Sequence, residues 1–135
     1  MSQTFKSSLD TNLICRFLLN DVPAQREKVK SLLLDESQEF YVNDAVVAEV
    51  EHVLNKVYTW SHERIQENLS FFFSIENVRP ESPYISEVLE FYKNHPSLSY
   101  VDCYSAFFAE NNNKEPLYTF DKKLSNQHPS AKLLK

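Results

Sequence analysis

Four acidic residues stand at positions in this sequence where a carboxylate can take part in catalysis. Two directly follow short apolar segments that are typical of β-strands, and two fall within segments that are typical of helices. The carboxyl ends of parallel strands meet at one edge of a sheet, which is the usual place for an active site in an α/β protein. The four residues are Asp10, Glu49, Asp102 and Asp121.

Carboxylates gathered at one place repel one another and take up protons unless a cation lies between them. Carboxylate and water oxygens are the ligands that Mg²⁺ prefers, in octahedral geometry. A water bound to such an ion deprotonates more readily and can attack a phosphodiester. The sequence therefore predicts a Mg²⁺ site, which Mn²⁺ can also occupy, formed directly or through water by Asp10, Glu49, Asp102 and Asp121.

Polar neighbours of these acids are candidates for supporting roles. Thr11, Asn12 and Thr119 can orient metal ligands through hydrogen bonds. Arg16 can contact a phosphate group, since its guanidinium matches phosphate geometry.

Alternating strand and helix patterns predict the elements that position the acids. We expect four or five short strands, and the segments between them have helical periodicity. This alternation indicates an α/β fold in one domain over residues 1–135, with a parallel sheet covered by helices on both faces. The predicted strands are 5–9, 39–42, 75–78, 117–120 and 131–134.

The segment from about residue 44 to 58 is predicted to be one long helix. At ~100° per residue, Glu49 lies nearer than Glu51 to the centre of its apolar face. Glu49 is therefore favoured to face a cleft, and Glu51 and His52 to face solvent. The face consists of Val46, Val50, Val53, Leu54 and Val57.

Each aspartate also has a purely structural interpretation. Asp10 and Asp121 can cap the helical turns that follow them, and Ser99 to Asp102 has the spacing of a capping box. The sequence leaves these roles open beside metal binding. Asp21, followed by Pro23, is predicted to be the N-cap of a further helix.

The chain contains no glycine, which excludes a glycine-rich nucleotide-binding loop. Turns with positive φ must then use other residues, and Asn tolerates this conformation best. We expect such a turn in Asn111-Asn112-Asn113. The four histidines form no pair at metal-ligand spacing, which argues against a zinc site.

The net charge of −5 is unusual for a protein that binds nucleic acid, because phosphate binding normally uses a basic surface. Bound Mg²⁺ would offset part of this charge, and Arg16, Lys122 and Lys123 would remain near the site. We therefore expect a small footprint on nucleic acid. The run Phe71-Phe72-Phe73 and the tyrosines are interpreted as core and dimer surface in preference to a base-stacking platform.

Cys15 and Cys103 lie far apart in the sequence and match no metal-binding spacing. They are predicted to be small buried residues in a protein of a reducing compartment. No apolar run approaches the ~20 residues of a membrane helix, and the N-terminal segment has no secretory signal pattern. We expect a cytoplasmic protein without membrane contact.

Four segments in order resemble the PIN domain family and, within it, the VapC-type toxin ribonucleases. The clearest are Leu9-Asp10-Thr11-Asn12 and Thr119-Phe120-Asp121. Two departures are Asn111-Asn112-Asn113, where the family often has glycine, and Ser99, where it often has a further acid. The second departure leaves fewer acids around the metal. The four segments are 9–16, 46–54, 100–106 and 117–122.

The resemblance implies a three-layer α/β/α fold whose central parallel sheet has the order 3-2-1-4-5. It also implies a Mg²⁺-dependent endoribonuclease that cuts RNA, forms a homodimer and is inhibited by a cognate antitoxin protein. The same four acids would be its catalytic and metal-binding residues.

Two other readings stay open. A haloacid-dehalogenase-like phosphatase also has an Asp after its first strand, but it normally needs a second Asp where this chain has Asn12. A non-catalytic PIN-like RNA-binding or scaffold protein usually lacks one of the acids, whereas all four are present here.

Overall fold

The structure is a computed structural model that describes residues 4–135. Residues 1–3, which belong to the N-terminal segment considered above, lie outside the described residues. The chain divides into two compact units, of which the first ends at Pro83 and the second runs from Tyr84 to Lys135. The expectation of a single domain over residues 1–135 stays a prediction.

The first unit alternates strands and helices. Its strand β2 pairs in parallel with β1 on one side and β3 on the other. The carboxyl ends of the three strands therefore point the same way, and Asp10 follows one of them. The elements are β1 Phe5–Ser8, α1 Thr11–Leu19, α2 Pro23–Leu33, β2 Gln38–Val42, α3 Asp44–His52, a π-helical segment Val53–Val57, α4 His62–Phe73 and β3 Val78–Pro80.

The second unit contains three helices and two strands. Strands β4 and β5 are parallel, with Leu117 opposite Ala131 and Thr119 opposite Leu133. Helix α6 packs against both α5 and β4. The elements are α5 Ile85–Asn94, α6 Tyr100–Asn111, β4 Leu117–Thr119, α7 Lys122–Gln127 and β5 Ala131–Leu133.

The α/β class with parallel strands is confirmed, and each predicted strand exists within a few residues of its expected position. The described strands form a three-stranded sheet in the order β1-β2-β3 and a two-stranded sheet, β4-β5. The neighbours within each sheet agree with the order 3-2-1-4-5, but one continuous sheet of that order is not confirmed.

Amphipathic helices supply most of the buried residues, as their periodicity predicts. In α4 the residues Ile65, Leu69 and Phe72 are buried at helical spacing, and the Phe72 ring packs edge-on against Phe17 at 5.7 Å between centroids. Both cysteines are buried, as expected. No described helix is both long and apolar enough to cross a membrane.

The predicted N-cap of α2 is wrong. Val22 occupies the N-cap and Pro23 the first helical position. The Asp21 carboxylate instead accepts a hydrogen bond from the Arg16 guanidinium at 2.7 Å. This ion pair joins the end of α1 to the start of α2, a tertiary arrangement that local capping preferences do not contain.

The predicted long helix over 44–58 changes character after His52. The last turns are π-helical, over Val53–Val57. Side chains there point in directions that differ from those of an α-helical wheel. Val57 is 67% exposed, and the buried residues are Val47, Val50 and Leu54. The predicted apolar face was therefore wrong at Val57 and missed Val47.

Asparagine does take the place of glycine at turns. Asn113 has a φ of 55°, which confirms the turn expected between α6 and β4. Asn20 ends α1 with a φ of 53°, and its amide donates to the Arg16 carbonyl. Thr59 also has positive φ, at 56°, which is uncommon for a β-branched residue. It lies directly after Tyr58, which contacts Arg16.

Candidate active site

Asp10 follows β1 and begins α1. The ladder between β1 and β2 extends to Leu9, whose amide donates to the Tyr41 carbonyl at 3.0 Å, so the chain leading into Asp10 is held by the sheet. The Asp10 Oδ1 accepts from the Leu13 amide at 2.9 Å. The capping interpretation is thus confirmed. A carboxylate has about four acceptor sites on two oxygens, so this cap leaves capacity for a cation.

A cavity of about 380 Å³ lies beside Asp10, between α1 and α2. Two cations, Arg16 and Lys28, line it together with this carboxylate. The contribution of Lys28 was not predicted, although Gln25, Lys28 and Val29 have the spacing of one helix face. Only the packing of α2 on α1 shows that this face meets Asp10.

Glu49 lies on α3 and faces a second cavity, of about 240 Å³, on the other side of α1. The burial expected from the helical wheel is wrong, because Glu49 is exposed and Glu51 is half-buried. The packing of α1 against α3 nevertheless places Glu49 opposite residues of α1. The other residues that line this cavity are Thr11, Asn12, Cys15, Arg16, Leu19, Val53 and Tyr58.

Asn12 and Arg16 line both cavities, so α1 links the surroundings of Asp10 to those of Glu49. A hydrogen bond with Tyr58 and the nearby Asp21 carboxylate raise the pKa of the Arg16 guanidinium. Arg16 is therefore a fixed positive charge at the edge of both cavities. Tyr58 was not predicted, since it follows the π-helical turns that the sequence pattern did not show.

Burial raises the pKa of the Cys15 thiol, and the carboxylates of Glu49, Asp21 and Asp10 raise it further against the opposing effect of Arg16. A thiol in these surroundings stays protonated near neutral pH and is a poor nucleophile. Cys15 therefore contributes packing to the cavity wall.

In the second unit, Asp102 lies in the first turn of α6 and is half-buried. The Ser99 hydroxyl oxygen accepts from the Asp102 backbone amide at 3.1 Å, which confirms Ser99 as the N-cap. A carboxylate in the first helical turn is stabilised by the helix dipole. The cap fixes the backbone at Asp102.

Asp121 follows β4 and caps α7. Its Oδ1 accepts from the amides of Lys123 at 2.8 Å and Leu124 at 3.2 Å, which confirms the capping interpretation. The Thr119 hydroxyl oxygen accepts from the Asp121 amide at 2.9 Å. Thr119 therefore orients Asp121 through the backbone. Both capping bonds use the same carboxylate oxygen, and the single capping bond at Asp10 likewise occupies one oxygen.

The structure thus assigns Asp10 and Glu49, with Thr11, Asn12 and Arg16, to the first unit, and Asp102 and Asp121, with Thr119, to the second. Over residues 4–135, neither unit contains a group of three or more His, Cys, Asp or Glu side chains placed to hold a metal ion. A site formed by all four carboxylates stays a prediction. The donor set, made of carboxylates without histidine or thiolate, suits a hard cation such as Mg²⁺.

Comparison with protein families identifies the chain. The model of the PIN domain family matches residues 8–127, which include all four acids, so the chain belongs to the PIN domain family. PIN domains are generally nucleases that act on nucleic acid, and they typically use divalent metal ions. No curated protein and no solved structure matched the chain.

Proposed function

We propose that the protein is a Mg²⁺-dependent endoribonuclease of the VapC toxin type, which hydrolyses phosphodiester bonds in RNA. The observation that carries the proposal is the match of the PIN family model across residues 8–127, with all four acids inside it. The proposal includes a cytoplasmic location, a homodimer and a cognate antitoxin that keeps the enzyme inactive.

In this proposal Asp10, Glu49, Asp102 and Asp121 are the metal-binding residues, directly or through water. The capping bonds support it, because they hold the carboxylates of Asp10 and Asp121 in place through one oxygen of each. The second oxygen of each group can then accept a cation without breaking the helix start. When bound, Mg²⁺ supplies a Lewis acid that favours ionisation of water and offsets phosphate charge.

The surrounding residues orient these ligands and the substrate. Thr119 holds the Asp121 backbone, and Thr11 and Asn12 begin α1 directly after Asp10. Arg16 is held by Asp21 and Tyr58 and presents positive charge to the cavity that Glu49 lines. With Lys28 it gives the region around Asp10 two cations in a protein whose net charge is −5. We assign phosphate contact to these two side chains.

The decisive experiment measures cleavage of cellular RNA by purified protein with Mg²⁺, with a chelator, and with Mn²⁺ added back. We expect cleavage at few sites, complete loss on chelation and recovery with Mn²⁺. Glu49→Gln should lower the cleavage rate at least about 100-fold, because removal of one charged ligand costs several kcal/mol and each 1.4 kcal/mol is tenfold.

Glu51→Gln is the matched control, since it makes the same chemical change two positions away. Glu51 is half-buried and has contacts of its own, so the melting temperature of both variants is measured first. Equal loss of activity in two well-folded variants would contradict the role of Glu49. If metal-loaded wild-type protein cuts no cellular RNA, the non-catalytic PIN-like reading replaces the nuclease.

The toxin assignment has its own test. Expression of the chain alone should arrest growth of the host cell. The proposal expects a small neighbouring gene that encodes the antitoxin, and co-expression of its product should restore growth. Growth arrest that Asp10→Asn retains would show that toxicity does not come from the proposed site.

A further inference from the structure

Two aromatic side chains of the second unit lie in solvent beside the proposed metal ligand Asp121. Tyr118 is 60% exposed and Phe120 is 77% exposed. Leu117, which precedes Tyr118, and Thr119, which lies between the two aromatic residues, are half-buried. Strand β4 ends at Thr119, and Phe120 directly follows it. Half-buried and exposed residues alternate from Leu117 to Phe120, so the two exposed rings lie two positions apart and together form an aromatic surface at the carboxyl end of β4.

Strand β5 extends this surface. Lys132 pairs with Tyr118 in the register, and the Leu134 amide donates to the Thr119 carbonyl at 2.8 Å, one residue beyond the last pair. Lys132 is exposed, and Leu134 is 49% exposed. We call Tyr118, Phe120, Lys132 and Leu134 the β4–β5 aromatic face.

The segment of the chain that contains this face has a net charge opposite to that of the protein as a whole. Residues 114–135 contain five lysines and two acids, a net charge of +3, while the chain carries −5. All five lysines are exposed, and none forms an ion pair with a described carboxylate. The segment that contains Tyr118 and Phe120 is thus cationic. The lysines are Lys114, Lys122, Lys123, Lys132 and Lys135.

Exposed aromatic rings among unpaired cations match the chemistry of single-stranded nucleic acid. Bases stack on aromatic side chains with little dependence on sequence, and lysines attract the phosphates. Duplex RNA does not offer unstacked bases. A basic protein partner would be repelled by the lysines. A purely apolar partner would bury their charges without a compensating contact, which costs free energy.

We infer that the β4–β5 aromatic face binds a single-stranded segment of RNA, with bases stacked on Tyr118 and Phe120 and phosphates beside Lys132. This inference rests on the proposed ribonuclease function, whose substrate it defines further. Phe120 directly precedes Asp121 in the chain, so a base stacked on Phe120 is held next to a proposed metal ligand. Tyr118 and Phe120 would then be the residues that position an unpaired base beside the site of cleavage.

The test measures binding without cleavage. Fluorescence anisotropy in a chelator follows a labelled RNA of about 12 nucleotides, a length within the range of known single-strand sites, and the same RNA annealed to its complement. Wild-type protein should bind the single strand more tightly than the duplex. Phe120→Ala should weaken single-strand binding about 5- to 100-fold, the range for loss of one stacked base, and Phe120→Trp should retain it.

Phe71→Ala is the matched control. Phe71 lies in the first unit and is 58% exposed, so the change removes a comparable ring from a different surface. It should change the affinity less than twofold, within ordinary scatter for a residue that does not touch RNA. Lys132→Gln should reduce the slope of log affinity against log salt by about 0.7, the value for one phosphate contact on a single strand.

The outcomes separate this inference from the proposed function. Equal affinity for single strand and duplex, or equal effects of Phe120→Ala and Phe71→Ala, would overturn the inference. The same holds if Phe120→Ala leaves RNA affinity unchanged and converts a dimer into a monomer, since the face would then be a contact between copies. Ring-dependent binding of the single strand, with no metal-dependent cleavage, would support the inference and overturn the nuclease.

Discussion

Asp121 is the residue at which the structural and the catalytic interpretations can be separated most cleanly. Its Oδ1 accepts two amide hydrogen bonds, from Lys123 and Leu124, at the start of α7. Asparagine has an oxygen in the same position and is an equally good N-cap. Asp121→Asn should therefore keep the cap and lose the charge that a metal site needs, while Asp121→Ala should lose both.

The structure indicates how large the stability difference should be. Helix α7 has six residues, far fewer than the ~12 that an isolated helix needs, so it depends on its cap and on buried Leu124. Replacing an N-cap Asp with Ala costs about 1 kcal/mol. In a protein of 135 residues this corresponds to a melting temperature lowered by about 3 °C. Asp121→Asn should melt at or above the wild-type temperature without metal, since it removes one of several proposed like charges.

Two assays on the same preparations check this prediction. Thermal unfolding in a chelator measures how much the cap contributes to stability. The rate of RNA cleavage with Mg²⁺ measures how much the carboxylate charge contributes to activity. We expect Asp121→Asn to be stable and at least about 100-fold less active, for the reason given for Glu49. Full activity of Asp121→Asn would show that Asp121 is only a cap. Destabilisation as large as that of Asp121→Ala would show that the acceptor geometry is not what supports α7.

Three further predictions follow from single residues. Calorimetry should detect Mn²⁺ binding in the wild type and not in Asp10→Asn; equal binding would contradict the metal site. Burial lowers the pKa of His128 against the pull of Glu110 and Glu115, so the unfolded chain binds more protons in acid. Stability in urea should then fall as the pH drops through 6.5, the ordinary value for histidine, and His128→Gln should show a smaller fall than wild type. Because burial raises the pKa of Cys15, iodoacetamide at pH 7.5 should label it only after unfolding, and rapid labelling of the folded protein would refute its placement.

Much of the local structure followed from the sequence alone. Ser99 caps α6 as predicted, and Asn113 takes the positive φ expected in a chain without glycine. The two aspartates after strands also cap helices. Each of these caps depends on bonds between residues at most three positions apart, so a short stretch of sequence contains the interacting groups.

The identity of the candidate acids likewise came from the sequence. Asp10, Glu49, Asp102 and Asp121 were selected from their positions relative to predicted elements and from the resemblance to PIN domains, and the family match includes all four. Their joint binding of a metal ion stays a prediction. The class of ion rests on the chemistry of carboxylates, which does not depend on the fold.

Other features were decided by tertiary structure. The π-helical turns after His52 expose Val57 and bring Tyr58 to Arg16, and Asp21 pairs with Arg16 instead of capping α2. The fold of the second unit leaves Phe120 in solvent, which the sequence pattern did not indicate. These outcomes depend on which helices and strands pack together, because burial and ion pairing are set by groups that are distant in the chain. Local propensities fix where an element begins and ends, whereas the packed neighbours determine which of its faces is covered.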